Sequence, residues 1–404
     1  MTRSQHWLTS VSKMSLMTLL SRVTGLLRDM AWAVVFGASV PFEAFLLAFK
    51  IPNLMRRLFA EGAFSQTFVP ILSNQFEQSP QEARQFVCSI LTLMGLFLGV
   101  VTWFVCAYPS ILISILAPGI ELNDPRFQLA CDLLTITFPF MWLISLSGVF
   151  SAVLNQKHCY ALPASTPIIL NLALLMSAGY LYFGLGVSIR VTAWSVIWAG
   201  VLQLLMLYVA CYRQFGVVLP SLRGSKGLKR FLYTFPGAMF GASIGQLNIF
   251  ADTVFLSFLP AGSLSWLYYA DRIILFPIGV FAVSVSTVML TRLSQLAANA
   301  WDEAFKDTLE MSVVLMSLLA TVMAVGLIQL AYPLSISFFC YGKFTGDDAY
   351  RVYQCLSILG YALPAMMLVK LLTNAFYAKH NIKTPVTVGM MTVVINLCFN
   401  FYLI

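Results

Sequence analysis

Residues 138–171 read FPFMWLISLSGVFSAVLNQKHCYALPASTPIILN, and residues 363–396 read LPAMMLVKLLTNAFYAKHNIKTPVTVGMMTVVIN. Both are long apolar runs that contain the same landmarks: a proline near the start, a Lys-His pair, a second proline and a closing asparagine. The matching landmarks lie 222 or 225 residues apart in the chain: Pro139 and Pro364, Lys157 and Lys379, Pro163 and Pro385, Asn171 and Asn396. A repeat at so constant an offset indicates a duplicated structural unit.

The rest of the chain is equally apolar. Of its 404 residues, 59% are hydrophobic and 10% are charged, whereas soluble domains carry about 25% charged residues. So few charges exclude an ordinary soluble enzyme and a disordered protein, because they could not cover the surface of a soluble fold. The eight cysteines form no CxxC pair, which argues against a disulfide framework or a metal site. We therefore interpret the chain as an all-α polytopic membrane protein.

The apolar runs predict eleven membrane spans of roughly 20 residues, near residues 11–38, 41–60, 86–107, 128–153, 161–184, 188–211, 231–258, 264–290, 309–331, 352–378 and 384–404. Six spans precede a basic segment at 212–230, so the two repeats have the same orientation. We expect an N-terminal six-helix bundle over 1–211, a cytoplasmic linker over 212–230, and an incomplete C-terminal bundle of five helices over 231–404. Parallel repeats of this kind predict two bundles around a central cavity.

Prolines inside the predicted spans predict kinks or broken helices. They are Pro52, Pro139, Pro167, Pro236, Pro277 and Pro364.

Lysine and arginine are distributed unevenly between the loops. With the N-terminus in the cytoplasm, thirteen of these residues lie at cytoplasmic ends and four at the opposite ends, as the positive-inside rule requires. The linker holds the densest group, which a topology anchor explains; lipid head groups or nucleic acid are the alternative partners of this segment. The formal net charge of +8 is thus ascribed to topology, and we expect membrane lipids and no nucleic acid as partners.

Seven cations remain inside the predicted spans: Arg22, Arg28, Lys50, Arg56, Arg57, Arg272 and Lys370. A cation at a helix centre costs about 2.5–3.5 kcal/mol on insertion scales. The clear acids in the spans are fewer: Asp29, Glu43, Asp252 and Asp271. The cations therefore outnumber the acids, which predicts a water-filled cavity that receives an anion.

Helical spacing predicts which of these charges meet. Arg22 and Arg28 are six residues apart, about 120° out of phase on a straight helix, so one uninterrupted face does not present both. Arg22 and Asp29 are seven apart, hence roughly on one face and able to pair. Asp271 and Arg272 are adjacent and point about 100° apart, so we do not expect them to pair.

Arginine presents a planar fork that matches phosphate oxygens, so arginines clustered in a cavity suit a phosphate or pyrophosphate group. Ion pairs that only hold the bundles together are the alternative. No Walker A sequence, no GxSxG and no paired catalytic carboxylates occur, and the histidines lie at loop positions without a second ligand: His6, His158 and His380. The sequence predicts a transporter and not an enzyme.

Five segments carry a family resemblance: SRVTGLLRD at 21–29, AFKIPNLMRRLFAEGAFSQ at 48–66, SWLYYADR at 265–272, YGKFT at 341–345 and KTPV at 383–386. In order and over nearly the whole chain, they resemble the MurJ (MviN) family of lipid II flippases, in the MOP superfamily of exporters that also includes the MATE transporters. The resemblance implies transport of undecaprenyl-pyrophosphate disaccharide-pentapeptide from the cytoplasmic to the periplasmic leaflet of a bacterial inner membrane, by alternating access. It also implies fourteen spans, of which this chain is expected to contain eleven.

The resemblance assigns roles to particular residues. The cavity arginines of the family correspond to Arg22, Arg28, Arg56 and Arg272, and Ser21, Ser265 and Lys50 are expected beside them. Gating acids are expected at Glu43, Asp29 and Asp271, although the family usually has aspartate at the first of these positions. A sodium site described for some members corresponds to Asp252, Asn396 and Asn400.

The resemblance implies no cofactor other than sodium, with an ion gradient or the membrane potential as driving force, and cell-wall synthesis proteins as partners. Two alternatives remain at this point. One is a drug, metabolite or other lipid-oligosaccharide exporter of the same superfamily; a cation exporter should present acids in its cavity rather than arginines. The other is a non-transporting scaffold for cell-wall enzymes, for which the intramembrane arginines should be dispensable.

Overall fold

The computed structural model describes residues 3–56, 62–186, 188–216, 218, 220–221, 225–299 and 301–403. Within these ranges the chain is helical and has no strand. The helices are α1 Arg3–Phe36, α2 Val40–Arg56, α3 Gly62–Gln78, α4 Pro80–Ala107, α5 Pro109–Leu116, α6 Pro125–Thr137, α7 Pro139–Gln156, α8 Ala161–Tyr182, α9 Arg190–Phe215, α10 Lys226–Leu256, α11 Ser263–Pro277, α12 Val283–Ala298, α13 Asp302–Phe339, α14 Gly346–Ala378 and α15 Lys383–Leu403. The predicted all-α class is confirmed.

Eight helical segments among the described residues are long and apolar enough to cross a membrane, and a bent α10 would make nine. Two of the eight join a pair of helices, α6 with α7 and α11 with α12. The predicted spans near 11–38 and 41–60 are not among them, because α1 carries several charges and α2 has only 17 residues. The chain is a multi-pass membrane protein, and these two spans stay predictions.

Breaks occur at two of the predicted prolines. Pro139 starts α7 directly after α6, and Pro277 ends α11 before a π-helical turn, Ile278–Ala282. Proline has no N–H for the helical ladder, which favours a break at these positions. The bend in α10 measures 48° and lies between Ser243 and Gly245, not at Pro236, because small residues permit a kink where no proline is present.

The described residues form two compact units, Met1–Val35 with Val40–Leu259 and Phe36–Ser39 with Pro260–Ile404. Helix α10 belongs to the first unit because its start packs tightly there. Phe231 is 2% exposed and lies edge-on to Phe64, with ring centroids 5.9 Å apart. The packing thus divides the chain after α10, whereas the repeat predicts a boundary at 212–230. Packing and duplication need not divide a chain at the same residue, so the boundary predicted from the repeat stays a prediction.

One turn shows the repeat directly. His158 and His380 are the described non-glycine residues with positive φ, at 61° and 57°. Each follows the lysine that ends a helix, α7 or α14. The two turns are closed by equivalent backbone hydrogen bonds: His158 N to Asn155 O, Cys159 N to Leu154 O, His380 N to Tyr377 O and Asn381 N to Phe376 O. The same turn therefore recurs once in each unit, 222 residues apart, as the sequence repeat predicts.

Candidate functional site

Arg28 of α1 is the most buried of the four predicted cavity arginines, at 8% exposure. Its Nε and Nη2 atoms donate to Oδ1 of Asp29 at 2.9 and 2.6 Å. Its Nη1 atom donates to Oδ1 of Asn171 at 2.8 Å, and its guanidinium lies 4.7 Å from the ring centroid of Trp32. A carboxylate, an amide and an aromatic ring together compensate the burial of this charge.

The structure pairs Asp29 with Arg28 and not with Arg22, although helical spacing allows the second pair as well. Asp29 is 2% exposed and accepts from its neighbour Arg28 instead, and Arg22 is exposed. Adjacent residues leave a helix about 100° apart, but the long arginine side chain turns back along the helix surface to reach the shorter carboxylate.

Asn171 of α8 is a residue of this site that the sequence analysis missed. It is 7% exposed, and its Nδ2 atom donates to the carbonyl oxygen of Ser21 at 3.0 Å and to Oγ1 of Thr24 at 3.3 Å. Gly25 faces this amide: a Cβ there would lie 3.4 Å from that Nδ2 atom, at about van der Waals contact. The one available signal was its place as the closing asparagine of the repeat, inside an apolar run.

Helix α2 carries two more of the predicted cations, Lys50 and Arg56, both partly buried. The Nε atom of Arg56 donates to Oδ1 of Asn53, one turn earlier, at 3.2 Å. The side chain is thereby directed along its own helix.

Glu43, a predicted gating residue, is 4% exposed in the first turn of α2. Its Oε2 atom lies 3.9 Å from Nη1 of Arg126. Arg126 also pairs with Asp124, Nη2 to Oδ2, at 2.8 Å, and Asp124 caps α6 by accepting from the Arg126 backbone N–H at 2.7 Å. The side-chain hydrogen bond from Arg126 lowers the pKa of the Asp124 carboxyl below its usual value.

In the second unit, Arg272 lies one turn after Tyr268 on α11, and its guanidinium carbon is 4.5 Å from that ring centroid. Asp271 is exposed. Ser265 is fully buried, and its hydroxyl has no hydrogen-bond partner among the described residues. Its predicted place on a cavity wall stays a prediction.

Two of the three predicted sodium ligands, Asn396 and Asn400, lie on α15. On α15, Nδ2 of Asn400 donates to Oδ1 of Asn396 at 3.1 Å. Asp252 lies on α10 and is partly buried. No group of three or more His, Cys, Asp or Glu side chains suited to a metal occurs among the described residues. A carboxylate and two amide oxygens are the donor types that a hard cation prefers, so the set suits sodium in chemistry, and the site stays a prediction.

Comparison with known proteins identifies relatives along almost the entire chain. A family profile described as "Lipid II flippase MurJ" matches residues 32–404. The "Probable lipid II flippase MurJ" of Buchnera aphidicola subsp. Acyrthosiphon pisum is 38% identical over 393 residues, which is 96% of this chain and 77% of that protein. The "Lipid II flippase MurJ" of Burkholderia cenocepacia is 36% identical over 390 residues, 95% of this chain and 76% of that protein.

Two solved structures are also similar to this chain along most of its length. A lipid II flippase MurJ in an inward closed conformation superimposes with a TM-score of 0.85 at 27% identity, covering 96% of this chain and 80% of that chain. An inward-facing MATE multidrug transporter of the MOP superfamily matches with a TM-score of 0.76 at 10% identity, covering 93% and 84%; this second likeness shows a shared fold alone. The profile match and the relatives above 30% identity confirm the resemblance: this chain belongs to the MurJ family of lipid II flippases, which are transporters and not enzymes.

Proposed function

We propose that this chain moves lipid II across the membrane and holds its pyrophosphate with the arginines of α1, α2 and α11. Membership of the MurJ family is the observation that carries the proposal. The arginines add a physical reason, because a guanidinium placed inside a membrane protein needs an anion or an acid beside it.

The four arginines differ in what surrounds them. Arg22 is exposed and makes no ion pair with the described residues, so its planar fork can receive phosphate oxygens directly. Arg56 and Arg272 are partly buried and lie against an amide oxygen and a tyrosine ring. A guanidinium presents a planar fork to phosphate oxygens, so a ligand with several anionic oxygens suits these arginines.

We also propose an orientation and a direction of transport. The excess of Lys and Arg on one side of the spans favours a cytoplasmic N-terminus in a bacterial inner membrane. We propose that lipid II passes from the cytoplasmic to the periplasmic leaflet, where cell-wall synthesis proteins consume it. No ATP-binding motif occurs in the sequence, so we propose the membrane potential or a sodium gradient as driving force, with Asp252, Asn396 and Asn400 as the sodium ligands.

The test is transport in liposomes that contain the purified 404-residue chain and fluorescent lipid II, read as the fraction of label accessible from outside. Separate Arg22→Ala, Arg56→Ala and Arg272→Ala variants should each lower the rate by about tenfold or more, since each removes a charge-assisted contact. Arg22→Lys should also lose activity, because an ammonium cannot make the bidentate contact.

The matched control is Arg190→Ala. Arg190 is an exposed arginine that pairs with Asp132 at 2.6 Å, and its removal should leave the rate within twofold. Equal rates for all variants, at equal amounts of inserted protein, would contradict an arginine-based site and favour the scaffold interpretation.

A further inference from the structure

The amide of Asn171 joins α8 to α1 at two points that belong to the proposed arginine site. Its Oδ1 atom accepts from Nη1 of Arg28 at 2.8 Å, and its Nδ2 atom donates to the Ser21 carbonyl at 3.0 Å. The side chain is 7% exposed, so water competes little for either bond. Asn171 therefore contacts both the guanidinium of Arg28 and the backbone carbonyl that precedes Arg22.

The Arg28 guanidinium is held on both of its edges. On one edge, Nε and Nη2 donate to a single carboxylate oxygen of Asp29, Oδ1. On the opposite edge, Nη1 donates to Asn171, and the Trp32 ring centroid lies 4.7 Å from the guanidinium carbon. A rigid planar group held at both edges rotates less freely than one held at a single edge, so the Asn171 bond contributes to the orientation of the fork.

A side-chain amide is suited to make both of the bonds observed. It carries a carbonyl oxygen for the guanidinium and an N–H group for the Ser21 carbonyl. A carboxylate at this position would repel that carbonyl and add a second negative charge beside Arg28. An aliphatic side chain of similar size would make neither bond.

We propose that Asn171 is a positioning residue for lipid II: it holds the Arg28 fork in the orientation that meets the pyrophosphate, and it fixes the turn of α1 that presents Arg22. The proposal rests on the proposed function. It assigns to α8, which carries none of the predicted arginines, a specific part in substrate recognition.

The test measures the affinity of the purified chain for fluorescent lipid II in detergent, for the wild type, Asn171→Leu, Arg28→Ala and the double variant. Asn171→Leu should weaken binding by about tenfold, the loss expected for a hydrogen bond to a charged group. In the Arg28→Ala background the same change should weaken binding by less than twofold, because the group that Asn171 orients is gone.

Asn374→Leu is the matched control. Asn374 also donates through Nδ2 to a backbone carbonyl of another helix, that of Ser286, at 3.1 Å. This variant loses the same type of interhelical bond but holds no arginine, so its affinity should equal that of the wild type. If Asn171→Leu does not fold, Asn171→Asp retains an acceptor for Arg28 and should also bind lipid II more weakly, because its charge competes with the pyrophosphate.

Two outcomes would overturn the proposal. Wild-type affinity in Asn171→Leu, or an equal loss with and without Arg28, would show that Asn171 only packs the helices together and would leave the proposed function intact. A wild-type chain that binds no lipid II would refute the proposed function, and the role of Asn171 in substrate positioning with it.

Discussion

Replacement of Gly37 by alanine should destabilise the second unit by more than the cost of a left-handed backbone conformation at this residue alone. Gly37 follows α1 and has a φ of +60°. A Cβ built there would lie 2.5 Å from the carbonyl oxygen of Lys343 and 3.3 Å from the backbone nitrogen of Phe344. The obstructing atoms belong to the backbone, so a change of side-chain rotamer cannot relieve the contact.

The magnitude has two parts. A left-handed conformation costs a residue with a Cβ roughly 1–2 kcal/mol. Relief of the contact requires the turn to move away from Lys343, and this would break the bond from the Tyr269 hydroxyl to the Gly37 carbonyl, now 3.3 Å long. That bond contributes about 1 kcal/mol. The free energy of unfolding should fall by about 2–3 kcal/mol in total.

Gly184→Ala is the matched control, because Gly184 also has a positive φ, +72°, but no atom lies within 4 Å of its would-be Cβ. It should therefore lose only the conformational part. Thermal unfolding in detergent, followed by a thiol-reactive dye on the free cysteines, compares the two variants. An equal fall in melting temperature for both would refute the contact between Gly37 and Lys343.

Two further predictions concern single polar contacts. Asp124→Asn keeps the cap of α6 but removes the charge beside Arg126. The folded pKa of Asp124 lies below its usual value of 3.8. The wild type should therefore have a higher free energy of unfolding than this variant, and the difference should have its full size at pH values above 3.8. The gap should close as the pH falls through the lowered pKa, and thermal unfolding across pH 3 to 7, at intervals of about 0.5, checks this; a gap that does not change with pH would contradict the ion pair. Trp266→Phe removes the bond from the indole Nε1 to Oδ1 of Asp348, 2.8 Å long, and should lower the free energy of unfolding by about 1.5 kcal/mol. Trp103→Phe replaces a side chain that is 68% exposed and should change the free energy of unfolding little. An equal fall in both variants would show that the bond between Trp266 and Asp348 contributes nothing to stability.

The helical class, the multi-pass topology and the repeat could all be predicted from the sequence, because each depends on the order of apolar residues and landmarks along the chain. The turn at His158 and His380 shows how directly such landmarks report structure. The placement of α10 could not be predicted in this way. It depends on Phe231 and its neighbours in three dimensions, and a linear pattern of spans carries no information about which bundle a helix packs against.

The arginines of α1 show where helical geometry suffices and where it fails. The phase difference of about 120° between Arg22 and Arg28 predicts that one face cannot present both. The structure agrees, with the first exposed and the second buried against α8. The same geometry does not decide the partner of Asp29, since the phase of the Cα–Cβ bond does not limit where the end of a flexible four-atom side chain lies. Spacing therefore predicts which helix face a charge starts from, whereas its partner is decided by side-chain length and by the polar atoms of the next helix. For Arg28 that next polar atom is Oδ1 of Asn171, which no pattern within α1 could reveal.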